Sequence, residues 1–411
     1  MRQSRRPHMI ALVAGLMFVF SAFYLGRIFV PGCGIRLSNN DAPQLHLKDE
    51  GTLATLSGGS QDMSLSRYYR SERRDAGYPG ALSTLNPREV YSRIMVVPRM
   101  STESISWIDE ELPGLRTIHY TANDVLAPHH PPMNKGHEVV VYLSFILEHY
   151  ETLPDVVIFM HAHRYSHHNS ELLDFDAVQM LKRLSSEHVV RHGYVNMRCD
   201  WSPGCPEWLH PGAGHELLEK QEEVVLSEVW RELFPERSLP RTLAQPCCAQ
   251  FAVSRKAIRS MPKSRFVFFR DWILRTPLND YVSGRIWEYC WQSLFAGQST
   301  FCPNEHVCHC DGFGVCFNGQ EKFQAYKQLQ RESRRYRYEF DLHQPPQPES
   351  LRAQGLGEQV LGETGIQSDL RRSLSVHQRI LAIEKESEAR KTEALERGDS
   401  LQSNGSKAQA G

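Results

Sequence analysis

Five apolar residues, Val156 to Met160, stand in a row between Pro154-Asp155 and the polar run His161-Ala-His163-Arg164-Tyr-Ser-His167-His168-Asn169. A short apolar run without alternation is the pattern of a strand covered on both faces, as in a parallel sheet flanked by helices. A buried helix segment shares that pattern, but the β-branched residues and the flanking proline favour a strand. Open parallel sheets carry their ligands just beyond the carboxyl ends of the strands. Here that end holds four histidines, an arginine and an asparagine within nine residues, so it is the expected active-site edge. The plain alternative is a solvated histidine-rich loop.

The flanking segments fit an α/β architecture. Ile94 to Val97 reads as a strand, Ser104 to Leu112 as a short helix ended by Pro113-Gly114, and Arg116 to Tyr120 as a second strand. Asn134-Lys135-Gly136-His137-Glu138 opens a nearly all-apolar segment, Val139 to Leu147, with the character of a buried helix. Further helices are expected over 216–233, 255–260 and 284–295, and a strand over 250–254. This alternation predicts a mostly parallel central sheet with helices on both faces.

Composition divides the 411 residues. Met9 to Gly26 is uncharged and apolar on every helical face, and a snorkelling Arg27 extends the span to Val30. About 20 such residues cross a bilayer core. Arg2, Arg5 and Arg6 precede it, which keeps residues 1–8 cytosolic by the positive-inside rule. The expectation is a single-pass type II protein of the Golgi or another secretory-pathway membrane, anchored by 9–30, with the rest luminal. A cleaved signal peptide is the alternative. Residues 31–87 read as a stem, 88–317 as the domain, and 318–342 as a helix packed on it. Residues 343–411 read as a mostly disordered tail with one polar helix from Ser373 to Leu395 and a glycosylation sequon at Asn404-Gly-Ser406. Lysine plus arginine (47) balances aspartate plus glutamate (48), so there is no basic footprint for nucleic acid.

Ten cysteines suit an oxidising lumen. Cys302, Cys308, Cys310 and Cys316 are separated by five, one and five residues, which suits a disulfide loop better than a zinc site. Cys199–Cys205, and Cys247 or Cys248 with Cys290, are candidate pairs, though spacing alone does not select partners.

Several blocks, in order, resemble a mainly fungal family catalogued as domain of unknown function 3431. They include Ser106-Trp107-Ile108, Asn134-Lys-Gly-His-Glu138, Phe159-Met-His161-Ala-His163-Arg164, Gly193-Tyr-Val-Asn-Met-Arg198, Cys248-Ala-Gln-Phe-Ala252 and Ser283-Gly-Arg-Ile-Trp-Glu288. The chain departs from the family at His167, where a tryptophan is expected. A looser resemblance is to nucleotide-sugar glycosyltransferases of the GT-A fold. It rests on a Trp-bearing helix between two strands, a buried strand ending in polar residues, and a late aromatic-rich helix carrying an acid. It implies a nucleotide-sugar donor and a glycan or glycoprotein acceptor.

The candidate site residues follow from chemistry. His161 and His163 are two apart, so an extended strand end presents both on one side, where neutral imidazoles hold a divalent metal such as Mn²⁺ or Zn²⁺, or a phosphate. Structural histidines are the alternative. Lys135 and Glu138 open a helix, where an anion or a substrate hydroxyl is favoured. Arg164, His168, Asn169, Asp200 and Arg285 are further substrate contacts. Glu288, among Trp287, Tyr289 and Trp291, is the expected general base, with Asp271 beside Trp272 as a second candidate. An Arg285–Glu288 ion pair is the plainer reading of that helix, and Asp176 of Asp174-Phe-Asp176 reads as a helix cap. The functional expectation is sugar transfer. A metal-dependent hydrolase using the same histidines and a non-catalytic carbohydrate-binding protein are the alternatives.

Overall fold

The computed structural model describes residues 91–212, 222–342 and 363–407. The cytosolic tail, membrane anchor and stem expected over 1–87 lie outside them. No helix among the described residues is long and apolar enough to cross a membrane.

In chain order the elements begin with β1 (Arg93–Arg99), α1 (Ser106–Glu111), β2 (Thr117–Thr121), α2 (Val139–His149) and β3 (Val156–Phe159). Next come α3 (Ala177–Arg183), α4 (Ser186–His192), β4 (Tyr194–Asn196), α5 (Glu222–Leu233), β5 (Phe251–Ser254) and α6 (Arg255–Arg259). The last group is α7 (Lys263–Arg275), α8 (Asp280–Glu288), α9 (Trp291–Phe295), α10 (Glu305–Val307), α11 (Gln320–Leu342) and α12 (Glu363–Lys407). The single helix expected over 284–295 is two, because α8 ends at Glu288 and the chain restarts at Trp291.

The strands form one sheet in the order β2-β1-β3-β5-β4. β1 is parallel to β2 and β3, whereas β5 is antiparallel to both β3 and β4. Four strands therefore run one way and β5 runs back, so the sheet is mixed where a mostly parallel one was expected. The reversal brings the start of β5, Phe251, opposite Phe159 at the end of β3 and Asn196 at the end of β4. The residues entering β5 thus arrive at the same edge as those leaving β3, which matters for the site.

Side-chain alternation divides the core between two faces. Ile94, Val96, Val157 and Phe159 meet α2, α5, α7, α8 and α9, with Trp287 and Trp291 buried among them. Met95, Val97, Val156 and Ile158 face α1, α3, α4, Phe323 of α11 and Ala394 of α12. Val156 to Met160 are wholly buried, as the unbroken apolar run requires.

The cysteine region is a set of staples. Cys199 pairs with Cys308, Cys205 with Cys302, and Cys310 with Cys316. Cys247 bonds its neighbour Cys248, and Cys290 is a buried free thiol. The candidate pairs Cys199–Cys205 and Cys247 or Cys248 with Cys290 are therefore replaced. The fold brings the loop after β4 against the segment after α9, a proximity that spacing along the chain does not encode.

The polar helix expected over Ser373–Leu395 extends at both ends to form α12, so the described part of the tail is ordered. It packs along α11 and then across the domain. Ala394 accepts a hydrogen bond from the Cys316 amide, Arg397 donates to the Cys316 carbonyl, and Lys391 pairs with Asp174. A Cβ on Gly398 would lie 1.9 Å from the carbonyl oxygen of Gly314, so α12 docks there backbone to backbone. Gly398→Ala is expected to lift this end of α12 from the domain, at a cost of about 1–3 kcal/mol. Faster hydrogen exchange over α12, with the sheet unchanged, is the measurement that checks it.

Candidate functional site

β1 leads to β2 on one side, and β3 lies on its other side, so the chain reverses its lateral direction between the carboxyl ends of β1 and β3. Such a switch point leaves a crevice in which ligands of α/β sheets bind. One lip is the segment after β1, Met100 to Glu103, and the other is the histidine segment after β3. His163 Nε2 spans them, 3.3 Å from Glu103 Oε1.

The histidine segment is held by buried partners. The Trp107 indole donates to the carbonyl of Ala162 at 2.9 Å, pinning the peptide between the two histidines. Gln250, just ahead of β5, accepts from the His161 amide at 3.1 Å. Its amide nitrogen donates to the carbonyl of His168 and to Asn169 Oδ1. Asn169 in turn donates to the carbonyls of Arg164 and Phe175. Arg164 binds both carboxylate oxygens of Asp176 and reaches Glu111. Asp176 also caps α3, as its place before that helix predicts. Asn169 and Arg164 are therefore braces of this loop rather than open substrate contacts.

The two histidines expected on one side diverge. The strand ends at Phe159, so His161 and His163 are not on extended backbone and the two-residue period does not apply. The side chain of His163 is 64% exposed. His161 turns inward instead, with its Nδ1 2.9 Å from His168 Nδ1 and its Nε2 buried without a partner. Burial and the neighbouring imidazoles lower His161 to about 3 and His168 to about 4, so both are neutral across the physiological range. Among the described residues no group of three His, Cys, Asp or Glu side chains is arranged to hold a metal ion. By itself, the pair of imidazoles does not make a closed metal centre.

Glu288 closes the other side of the same edge. Its carboxylate accepts from the Cys248 amide at 3.0 Å, and its carbonyl accepts from Gln245. Cys248 lies two residues before Gln250, so the turn that fixes Glu288 is continuous with the residue that fixes His161. Cys248 itself has a left-handed backbone, φ 79°, and Arg198 donates to the sulfur of Cys247. Burial raises the Glu288 pKa against the opposing charge of Arg285. The Arg285–Glu288 pair gives way to another partner: Arg285 Nε binds the fully buried Glu222 at 2.8 Å, and Tyr289 donates to the same oxygen.

Glu138 is brought to Glu288 by the docking of two motifs. Lys135 caps the end of α7, donating to the carbonyls of Thr276 and Leu278, and so is not open to an anion. The Gly136 amide donates to Asp280 at the start of α8. Gly136 has φ 67°, and a Cβ there would lie 2.6 Å from Ile273. A Cβ on Gly284 would lie 2.5 Å from the His137 ring. The two glycines let the turn before α2 and the α8 helix touch. Burial, with the nearby charge of Glu288, raises Glu138 to about 8. The sign follows: below about 4.5 both folded and unfolded chains hold this proton, and above it only the folded chain does. Stability is therefore lost as the pH rises toward 8. Glu138→Gln is expected to gain stability over wild type across that window, by about 2 kcal/mol at pH 8 given its partial access to solvent. Denaturation midpoints of both proteins at pH 5 and pH 8 test this.

Two expected residues go elsewhere. Asp200 is buried in an ion network with Lys327 at 3.1 Å and His309 at 3.5 Å. Burial alone would raise its pKa, but neighbouring His309, Lys327 and Arg198 hold it well below the usual carboxylate range. Asp271 pairs with adjacent Arg270 on α7, and no described contact brings it to the histidine edge. Residues that sequence reasoning did not select are Gln250, Glu222, Glu103 and Cys247–Cys248. Only the adjacent cysteines carried a local signal.

The molecule is thus an α/β protein with a mixed sheet, whose carboxyl edge gathers neutral histidines and two half-buried acids. Its sequence belongs to the family described as Protein of unknown function (DUF3431), whose model matches residues 95–311. No curated protein and no solved structure matches the chain.

Proposed function

We propose that this protein is a membrane-anchored, luminal glycosyltransferase-like enzyme. It moves a sugar from a nucleotide sugar to a hydroxyl group of a glycan or glycoprotein acceptor. The observation that carries the reading is that Glu288, over a hundred residues later in the chain, shares its supporting turn with His161. An acid and neutral imidazoles held by one turn would supply both ends of the reaction. Glu288 takes the proton of the acceptor hydroxyl as its oxygen bonds to the anomeric carbon, and the bond to the donor phosphate breaks. His163 and His168 donate hydrogen bonds to the departing diphosphate.

Mn²⁺ or Zn²⁺ as cofactor is part of the same proposal, with the His161–His168 pair as the protein's contribution. Their replacement by alanine is then expected to lower bound metal in elemental analysis. The four disulfides support an oxidising, luminal location. Purified protein is assayed for donor hydrolysis and transfer over a panel of nucleotide sugars, with and without Mn²⁺. Turnover of one donor supports the reading, and no turnover combined with glycan binding replaces it by a carbohydrate-binding role.

A further inference from the structure

Beside the histidine edge lies a groove of about 640 Å³, formed by the segment after β1, the start of α1 and the exposed edge of β2. Its volume falls within the range of ordinary small-molecule sites. It lies on the β2 side of β1, and Glu103 on its wall reaches His163 of the histidine segment. We infer that this groove receives the hydroxyl-bearing nucleoside end of a nucleoside diphosphate, whose phosphates extend to the histidines. The inference rests on the donor class proposed above and adds where, and in which direction, that donor lies.

The direction follows from the lining. Two carboxylates, Glu103 and Asp109, and the hydroxyls of Ser101 and Ser106 dominate the walls. The one arginine in the lining, Arg99, is turned back on the carbonyls of Met100 and Ser101, at 3.1 Å each. A phosphate placed here would meet the His119 imidazole but also two like charges and an occupied guanidinium, whereas a ribose diol would donate to a carboxylate. Glu103 is partly engaged, accepting from the Met100 amide at 2.6 Å. Asp109 makes no hydrogen bond or ion pair among the described residues, and it is exposed on α1. It is the acceptor left for a vicinal diol. Ile105 and Ile108 add an apolar wall against which a flat ring can lie. The polarity reverses at the rim, where neutral imidazoles have N–H groups to offer and phosphate oxygens are the better partners.

Isothermal titration of the full chain with UDP, GDP and ADP, with and without Mn²⁺, tests both levels. For any that binds, the 2′-deoxy form is titrated against wild type and Asp109→Ala. Wild type is expected to bind the deoxy form about tenfold more weakly. Asp109→Ala should lose about tenfold for the ribose form and no longer distinguish the two, the signature of a direct pair. If Asp109→Ala matches wild type and still discriminates, the nucleoside lies elsewhere, and the inference fails while the donor class stands. If none of the three binds under either condition, the donor class is refuted and the inference with it. Because Asp109 is exposed, its replacement does not threaten the fold, which circular dichroism verifies.

Discussion

Removing both Cys199–Cys308 and Cys205–Cys302 is expected to cost about 8 kcal/mol and to leave the chain unfolded at ordinary temperature. The two bridges close almost the same loop, spanning 109 and 97 positions. With either one intact, the other closes only a small ring made of two six-residue arms, Cys199 to Cys205 and Cys302 to Cys308. In the chain-entropy account such a ring is worth about 3 kcal/mol, and the long loop about 5. Each pair removed alone is therefore expected to cost about 3 kcal/mol, less than half the effect of removing both. Urea denaturation of the two alanine pairs and of the quadruple variant measures this directly. A quadruple variant no less stable than either pair would show that packing, not cross-linking, holds the two segments together. These bridges also tie β4's outgoing loop to the segment that leads into α11, so their loss reaches the Asp200–Lys327 network as well.

On the proposed reading, Glu288→Gln is expected to lower sugar transfer by about 10²–10⁴, the usual worth of a general base. Glutamine keeps an oxygen to accept from the Cys248 amide, so the turn beneath it should persist. Burial already opposes the carboxylate's charge, so the neutral amide should not lower stability and is expected to raise it slightly once the pH passes the unfolded carboxylate range of about 4.5. Wild-type transfer should climb with pH as the raised Glu288 ionises, and the residual rate of the variant should lose that dependence. Transfer rates across pH, taken together with thermal unfolding, separate a lost base from a damaged fold. If the variant keeps most of its rate, the base is another group, and Glu138, which feels the charge of Glu288, is the next residue to replace.

How much of this was legible beforehand differs by feature. The unbroken run from Val156 to Met160 favoured a strand buried on both faces over a buried helix, because it is short, β-branched and flanked by proline. The polar cluster beyond it marked the carboxyl edge of the sheet, since the carboxyl ends of parallel strands face open space where helices start and stop. Asp176 as a cap was readable because an N-cap bond is local, made two residues away. The helix over Lys263–Arg275 was missed because its aromatic and β-branched residues weaken the helical signal, and packing against α2 supplies what propensity does not.

Partners distant in the chain were not legible. His161 and His163 share a side only on extended backbone, and the strand stops two residues too soon. Whether Arg164, Asn169, Lys135 and Asp200 meet substrate or brace the loops depended on Asp176, Gln250, Thr276 and Lys327, contacts that range from 12 to 141 positions away. The cysteine pairing had the same character, since bond formation requires proximity in space and the count of intervening residues says little about it. The sequence by itself determined the layers, the buried strand and the edge at which chemistry is expected, because burial patterns and caps are local. The reversal of β5 was a tertiary decision, and it alone delivers Gln250, Cys248 and Glu288 to the histidines, because strand direction is set by how whole layers pack.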